Sequence, residues 1–197
     1  MASDPDAALM LAFQGGDESA FRVLFERHGR PMVAFCHHFV RDGARAEELA
    51  QDIFLKLHGS ASRYQPSARF KTFLYRIASN HCLNELRRGE YAARRAADPD
   101  AVDGAPLDPD ALASGGATPE ESALGAALSR EVQVLLARLP EKQRAAFVLA
   151  RLEGLPYEEV AEVLETSVSA VKSLVHRATV AAAAALAPYL AEREVTP

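Results

Sequence analysis

Residues 70–88 read FKTFLYRIASNHCLNELRR. At about 100° per residue, positions three and four apart fall on one face of a helix. Phe70, Phe73, Leu74 and Ile77 then form an apolar stripe, the mark of a helix packed into a core. Tyr75, Cys82 and Leu86 make a second, narrower apolar edge, so this helix is expected to meet more than one neighbour. The remaining sector carries Thr72, Arg76, Ser79, Asn80 and Arg87, with Arg88 nearby. It is a polar strip with fixed positive charge and short hydrogen-bonding groups. An ordinary solvated face has the same composition, so the rest of the chain has to decide between the two.

The chain has 197 residues, 49% hydrophobic and 25% charged, a globular balance with room for one domain or two small ones. Ala, Leu, Glu and Arg dominate and alternating β-branched runs are absent, which predicts an all-α fold. The longest apolar run, Val180–Ala187, is far too short to span a bilayer. The opening MASDPDAALM lacks the basic start and apolar core of a secretory signal. The two cysteines, Cys36 and Cys82, lie on separate predicted helices and read as reduced, buried residues of a cytoplasmic protein.

A net charge of −5 argues at first against a nucleic-acid binder. Its distribution reverses that argument. Residues 96–125 hold seven acidic side chains (Asp98, Asp100, Asp103, Asp108, Asp110, Glu120 and Glu121) and no Lys or Arg; without them the remainder moves from −5 to +2. Pro99, Gly104, Pro106, Pro109, Gly115, Gly116 and Pro119 break periodicity in the same segment, which therefore reads as a flexible acidic linker.

Two helical domains are expected on either side of it, 1–95 and 126–197. In the first, a short helix starts at Asp4-Pro5 and ends at Gly15-Gly16, and Asp17 caps a helix carrying Phe21, Leu24 and Phe25. Gly29 and Pro31 are expected to bend or break it before a further helix through Met32, Phe35, Phe39 and Val40. Ala44–His58 follows, with Leu49, Ile53 and Leu57 on its buried side; Gly59–Arg69 reads as a loop, and the Phe70 helix runs to about Arg95. In the second domain, Leu128–Leu139, Glu141–Leu152, Tyr157–Leu164 and Val168–Ala185 read as four helices.

Catalytic signatures are missing: there is no GxxxxGK[ST], GxSxG, HExxH or strand-linked GxGxxG. No cofactor is called for. His37 and His38 are adjacent on a helix and point about 100° apart, so they do not share a metal. His28, Cys36 and His81 could meet only across helices, and packed or exposed histidines are much the better explanation.

Leu155–Ala178, LPYEEVAEVLETSVSAVKSLVHRA, has helix-turn-helix spacing. In its second helix Val168, Val171, Leu174, Val175 and Ala178 line the inner face, while Ser169, Lys172, Ser173, His176 and Arg177 collect opposite. Ser167 can cap that helix and leave N-terminal amides for a phosphate. A plain helical hairpin is the alternative, but an apolar side set against a small-polar-plus-basic side suits insertion into the DNA major groove. The helix Ala46–His58 differs: opposite its core stripe lie Glu47, Glu48, Gln51, Asp52 and, among them, Leu55. DNA phosphates repel such a surface, whereas a protein with a basic, partly apolar face fits it.

Asp17–Leu24 (DESAFRVL), Ala46–Leu57 (AEELAQDIFLKL), Phe70–Arg88, and Leu139–Arg177 beginning LPEKQRAAFVLARLEGLPYEEVAEVL together make the chain resemble an extracytoplasmic-function sigma factor of bacterial RNA polymerase, in the sigma-70 family. The resemblance implies a four-helix domain like sigma domain 2, an acidic tether, and a four-helix helix-turn-helix domain. It implies that Glu48, Gln51, Asp52 and Leu55 dock on the clamp helices of core RNA polymerase. It assigns the minus-ten element and its melting to Tyr64, Lys71, Arg76, Asn80, Asn84, Arg87 and Arg88. The minus-thirty-five element falls to Ser167, Ser169, Lys172, Ser173, His176 and Arg177. The tether would thread toward the RNA path as a mimic of RNA charge, and an anti-sigma protein is a further implied partner; direct membrane insertion is not implied.

This chain departs from the usual pattern at Glu165, where many relatives have Gly, at Thr166, and at Leu174 and Thr179, where Arg is common. Fewer positive charges imply fewer phosphate contacts at the upstream element. Two rivals remain: a dimeric helix-turn-helix regulator that binds an operator without polymerase, and an interaction module that only sequesters a partner. A duplex shift by the chain alone marks the first; inactivity in transcription with core polymerase marks the second.

Overall fold

The structure, a computed structural model, describes residues 4–66, 69–96 and 132–193, and these form helices and turns without a strand. The acidic linker lies outside the described residues beyond Ala96, as do Leu128 and the start of its helix. The chain divides into two compact units, one built on the helices before the linker and one on those after it.

The first unit contains α1 (Pro5–Gln14), α2 (Glu18–Val40), α3 (Gly43–Gly59), a 3-10 turn (Ala61–Arg63) and α4 (Phe70–Ala96). The expected caps are in place. The Asp4 carboxylate accepts from the amides of Asp6 and Ala7, and Asp17 accepts from Ser19. Asp42 performs the same task for α3, and Arg41 takes a left-handed φ of 59° to turn the chain there. α2 packs on α1, α3 and α4, and α3 also packs on α4. Leu24, Met32, Phe35, Cys36, Leu49, Ile53, Leu57, Phe70 and Leu74 are buried in the common core. The Cys36 and Cys82 thiols meet there, Sγ to Sγ at 3.8 Å, and this contact together with burial pushes the Cys82 thiol well above its ordinary pKa.

Of the two outcomes expected at Gly29 and Pro31, a bend or a break with a further helix beyond, the break does not occur. α2 is unbroken through Gly29 and Pro31. Pro31 has no amide to donate and its ring crowds the carbonyl one turn back, at a cost of about 3 kcal/mol. The buried stripe runs past it on both sides, through Leu24, His28, Met32, Phe35, Cys36 and Phe39, and burying one such side chain contributes about 1.5–3 kcal/mol. Packing therefore outweighs the local break. Asp6 clamps the same region, accepting from Arg27 Nη1 at 2.7 Å and pairing with His28 Nε2 at 2.8 Å. Burial alone would raise the Asp6 pKa, but the bonds from His28 and Arg27 outweigh it and hold the carboxylate below its usual value.

The second unit contains α5 (132–138), α6 (Glu141–Phe147) continued by a π turn (Val148–Leu152), α7 (Tyr157–Val163) and α8 (Val168–Arg193). Leu136, Ala145, Val148, Leu149, Val160, Val171, Val175 and Ala178 form its core, with α6 packed on α8. Arg144 is buried rather than solvent-facing, and its Nη2 donates to the carbonyls of Ala137 (3.1 Å), in the last turn of α5, and Leu139 (3.4 Å), just past its end. α8 runs past the expected end at Ala185, as the alanine run favours, since alanine has the highest helix propensity.

Candidate polymerase and promoter surfaces

On α3, Glu48, Gln51, Asp52 and Leu55 fall within an arc of about 100° at helical spacing, opposite buried Leu49, Ile53 and Leu57, and all four are exposed. Leu55 is 71% exposed, the most of any large hydrophobic residue among those described. Two of its carboxylate neighbours are held in place. Arg45 donates to Glu48 at 2.6 Å and, through Nε at 3.0 Å, to Glu85 on α4. Asp52 lies 3.4 Å from His81 Nε2, and Lys56 contacts the other ring nitrogen. Burial, then the Lys56 charge, lower the His81 pKa, with Asp52 and Glu85 partly opposing. Phe25 on α2 is 47% exposed and stacks edge-on against Phe54 of α3 at 4.8 Å between ring centres. Its helix period alone had placed it with Phe21 and Leu24, so its exposure is new.

α4 presents a narrower polar face than expected. Thr72 and Ser79 are 2% and 0% exposed, turned inward because α4 is covered over a wide arc by α1, α2 and α3. Arg76, Asn80, Asn84 and Arg87 stay together within an arc of about 80°; Asn80, Asn84 and Arg87 are exposed and Arg76 is half-buried. Arg88 is also exposed, further round the helix. The Arg76 guanidinium sits 5.6 Å from the Phe73 ring centre, which fixes its stem. Lys71 is on the other side of the first turn, 5.9 Å from the Tyr75 ring centre, and does not join the strip. The resemblance assigns Tyr64 to the minus-ten element, yet it does not face solvent. It is 3% exposed, with its ring 5.1 Å from Phe73 and 6.4 Å from Phe70. Burial first, and the Asp4 charge second, raise its pKa.

On α8 the two sides separate, although Val168 and Leu174, expected on the inner face, are only half-buried. Ser169, Lys172, Ser173, His176 and Arg177 are exposed, while Val171, Val175 and Ala178 are buried. Ser167 caps the helix, its hydroxyl oxygen accepting from Ala170 N at 3.1 Å. Ser173 spends its hydroxyl proton on the Ser169 carbonyl (3.2 Å), so toward a ligand it can only accept. Glu165 occupies the preceding turn at φ 50°, the left-handed conformation its position suggested.

His28, Cys36 and His81 do not converge. His28 pairs with Asp6, Cys36 with Cys82, and His81 with Asp52 and Lys56. No helix among the described residues is long and apolar enough to cross a membrane.

Two helical units, the second with an exposed small-polar-plus-basic helix, define a helix-turn-helix protein whose first unit exposes a separate acidic–apolar face. Comparison with known proteins agrees. Sigma-70 region 2 matches residues 24–90 and Sigma-70, region 4 matches residues 129–180. The RNA polymerase sigma-H factor of Pseudomonas aeruginosa is 32% identical over 195 residues, covering 98% of this chain and 99% of that protein. The RNA polymerase sigma factor CarQ of Myxococcus xanthus is 32% identical over 171 residues, 85% of this chain and 90% of its own length. The ECF RNA polymerase sigma-E factor of Haemophilus influenzae is 32% identical over 175 residues, 88% and 90% of the two chains. Among solved structures, CnrH in complex with the cytosolic domain of CnrY has a TM-score of 0.69 at 23% identity, covering 93% of this chain and 97% of that one. The sigma factor RpoE in complex with the anti-sigma factor NepR from Bartonella quintana has a TM-score of 0.65 at 22% identity, covering 84% and 96%. The chain belongs to the sigma-70 family, as an extracytoplasmic-function RNA polymerase sigma factor.

Proposed function

We propose that this sigma factor divides promoter recognition between its units and joins polymerase mainly through α3. Glu48, Gln51, Asp52 and Leu55 dock on the clamp helices of core RNA polymerase. Arg76, Asn80, Asn84, Arg87 and Arg88 bind and hold open the minus-ten element, Lys71 adds charge at the entry to α4, and Tyr64 supports Phe70 and Phe73 from within. Ser167, Ser169, Lys172, Ser173, His176 and Arg177 read the minus-thirty-five element as duplex. The domains are then residues 1–95 and 126–197, joined by the acidic tether 96–125. The chain works in the cytoplasm as an initiation factor rather than as an enzyme. Because the neighbours CnrH and RpoE were solved with CnrY and the anti-sigma factor NepR, a comparable anti-sigma protein is proposed as a partner here.

The observation that carries this reading is Leu55, 71% exposed within an acidic and amide surface. Water gains nothing from an exposed leucine, and DNA phosphates are repelled by its neighbours, whereas a protein partner uses both. Run-off transcription on a genomic promoter library, with and without core polymerase, tests it. Promoter-specific transcripts with core polymerase and no specific shift of duplex by the chain alone at about 0.15 M salt are expected, since its net charge of −5 opposes unassisted approach to DNA. A tight, specific shift by the isolated chain would instead make it an operator-binding regulator.

A further inference from the structure

α1 has no part in either surface, yet it is bonded to both ends of the segment that leads into α4. At its N-terminus the Asp4 carboxylate serves two helices. Oδ1 accepts from Asp6 N (3.0 Å) and Ala7 N (3.3 Å) of α1, and Oδ2 accepts from Phe70 N (2.8 Å), the first residue of α4. The first amides of a helix lack partners within it, and the helix dipole favours a negative charge there. One carboxylate thus meets the same need at two helix starts. At the other end of α1, Gln14 Nε2 donates to the carbonyls of Tyr64 (2.8 Å) and Ala61 (2.5 Å). A side-chain amide has two N–H donors, so Gln14 commits both of them to this segment.

α1 is itself immobilised between these ends. Met10 and Phe13 are buried at 0% and 7%, and Arg27 and His28 of α2 hold Asp6. Ten residues at about 1.5 Å each make a strut of roughly 15 Å, capped at one end by the bond to Phe70 and at the other by the bonds to Ala61 and Tyr64. Gln14 is solvent-exposed, so the core does not require an amide at this position. Its two bonds fix where the segment lies rather than whether the unit folds.

We propose that α1 is a brace that sets the position of the Ala61–Tyr64 turn and of the start of α4, and that Asp4 and Gln14 are positioning residues for minus-ten recognition. This rests on the assignment of the minus-ten element to this segment and the α4 strip. Neither residue touches DNA in this proposal; each acts through the backbone it holds.

The test uses the full chain with core polymerase on a set of promoters carrying single minus-ten substitutions. Gln14→Ala removes both donors, and Asp4→Ser keeps a local cap for α1 but is too short to reach Phe70 N. Each variant is expected to lower the preference for the matched over the substituted minus-ten element about three- to tenfold, the range that one or two lost hydrogen bonds span. Core polymerase affinity should stay near wild type, and the thermal midpoint should fall by no more than the several degrees that one or two hydrogen bonds contribute. Equal losses on matched and substituted promoters, or unchanged discrimination, overturn the brace. Asn80→Ala and Arg76→Ala are run alongside. If they abolish discrimination while Gln14→Ala and Asp4→Ser do not, the brace fails and the assignment of the segment stands. If all four leave discrimination intact, the assignment itself fails and takes the brace with it.

Discussion

Replacing Leu55 by Ala should weaken polymerase binding without disturbing the fold. In the free chain the side chain is 71% exposed, so its removal leaves no cavity, and Ala is at least as good a helix former as Leu. Burying a whole leucine contributes about 1.5–3 kcal/mol. Covering the exposed fraction on docking is therefore worth about 1–2 kcal/mol, or roughly a five- to thirtyfold change in Kd. Asp52 adds a second contribution. It lies 3.4 Å from His81, but the lowered pKa of that ring leaves it neutral near pH 7, so the exposed Asp52 charge remains available to a basic partner. Leu55→Ala with Asp52→Ala should cost on the order of 2 kcal/mol or more if both anchor the interface.

Titration of labelled chain with core polymerase at two salt concentrations measures this directly. The Leu55 contribution should hold in high salt, whereas that of Asp52 should shrink as ions screen it. Circular dichroism and the thermal midpoint should be unchanged. By contrast, Leu49→Ala on the same helix, at a residue 0% exposed, should cost about 2–5 kcal/mol of stability. Unaltered affinity of the double variant at both salts, with the fold intact, would remove this surface from the account.

Three further outcomes are expected. A template with a pre-melted bubble should rescue Asn80→Ala, which fails at strand opening, but not Arg177→Ala, which fails at duplex binding and costs about 1–3 kcal/mol if it makes a bidentate base contact; equal rescue of both, or of neither, refutes the division of labour. Glu165→Gly should raise stability by up to about 1 kcal/mol in thermal melts, because a φ of 50° strains any side chain but Gly, and a loss of stability would show that Glu165 makes compensating contacts. Partial burial, followed by the neighbouring His37, depresses the pKa of the half-buried His38 to about 4. The unfolded chain takes up that proton as pH falls through about 6.5 while the native chain does not, so stability should decline between about pH 6.5 and 4, by up to about 3 kcal/mol, and level off above that window. A urea series giving flat stability across that window would mean that His38 is not buried in its neutral form.

What was legible in the sequence was whatever a local period or a local cap encodes. Leu49, Ile53 and Leu57 and the caps Asp4, Asp17 and Ser167 all follow from neighbours within one or two helical turns, whereas the left-handed turn at Glu165 followed from the Gly that many relatives have there. Leu55 was legible for the same reason, as an apolar residue on a polar arc. Pro31 misled because its local cost is real but is outweighed by packing with α1, α3 and α4 that no window of sequence contains. Thr72 and Ser79 misled because polarity assigns a face only where a helix has one buried side, and α4 is covered over a much wider arc; Tyr64, in the segment before α4, was assigned by resemblance, and its ring packs inward on Phe70 and Phe73. The bonds from Gln14 to Ala61 and Tyr64, and from Asp4 to Phe70, span 47, 50 and 66 residues and leave no periodic trace. The two kinds of residue follow from different constraints. Side chains proposed to meet polymerase and DNA must remain outside the core, so a helical wheel can find them. Those that position the recognition segment act by bridging elements distant in sequence, so they become visible only when those elements are packed together.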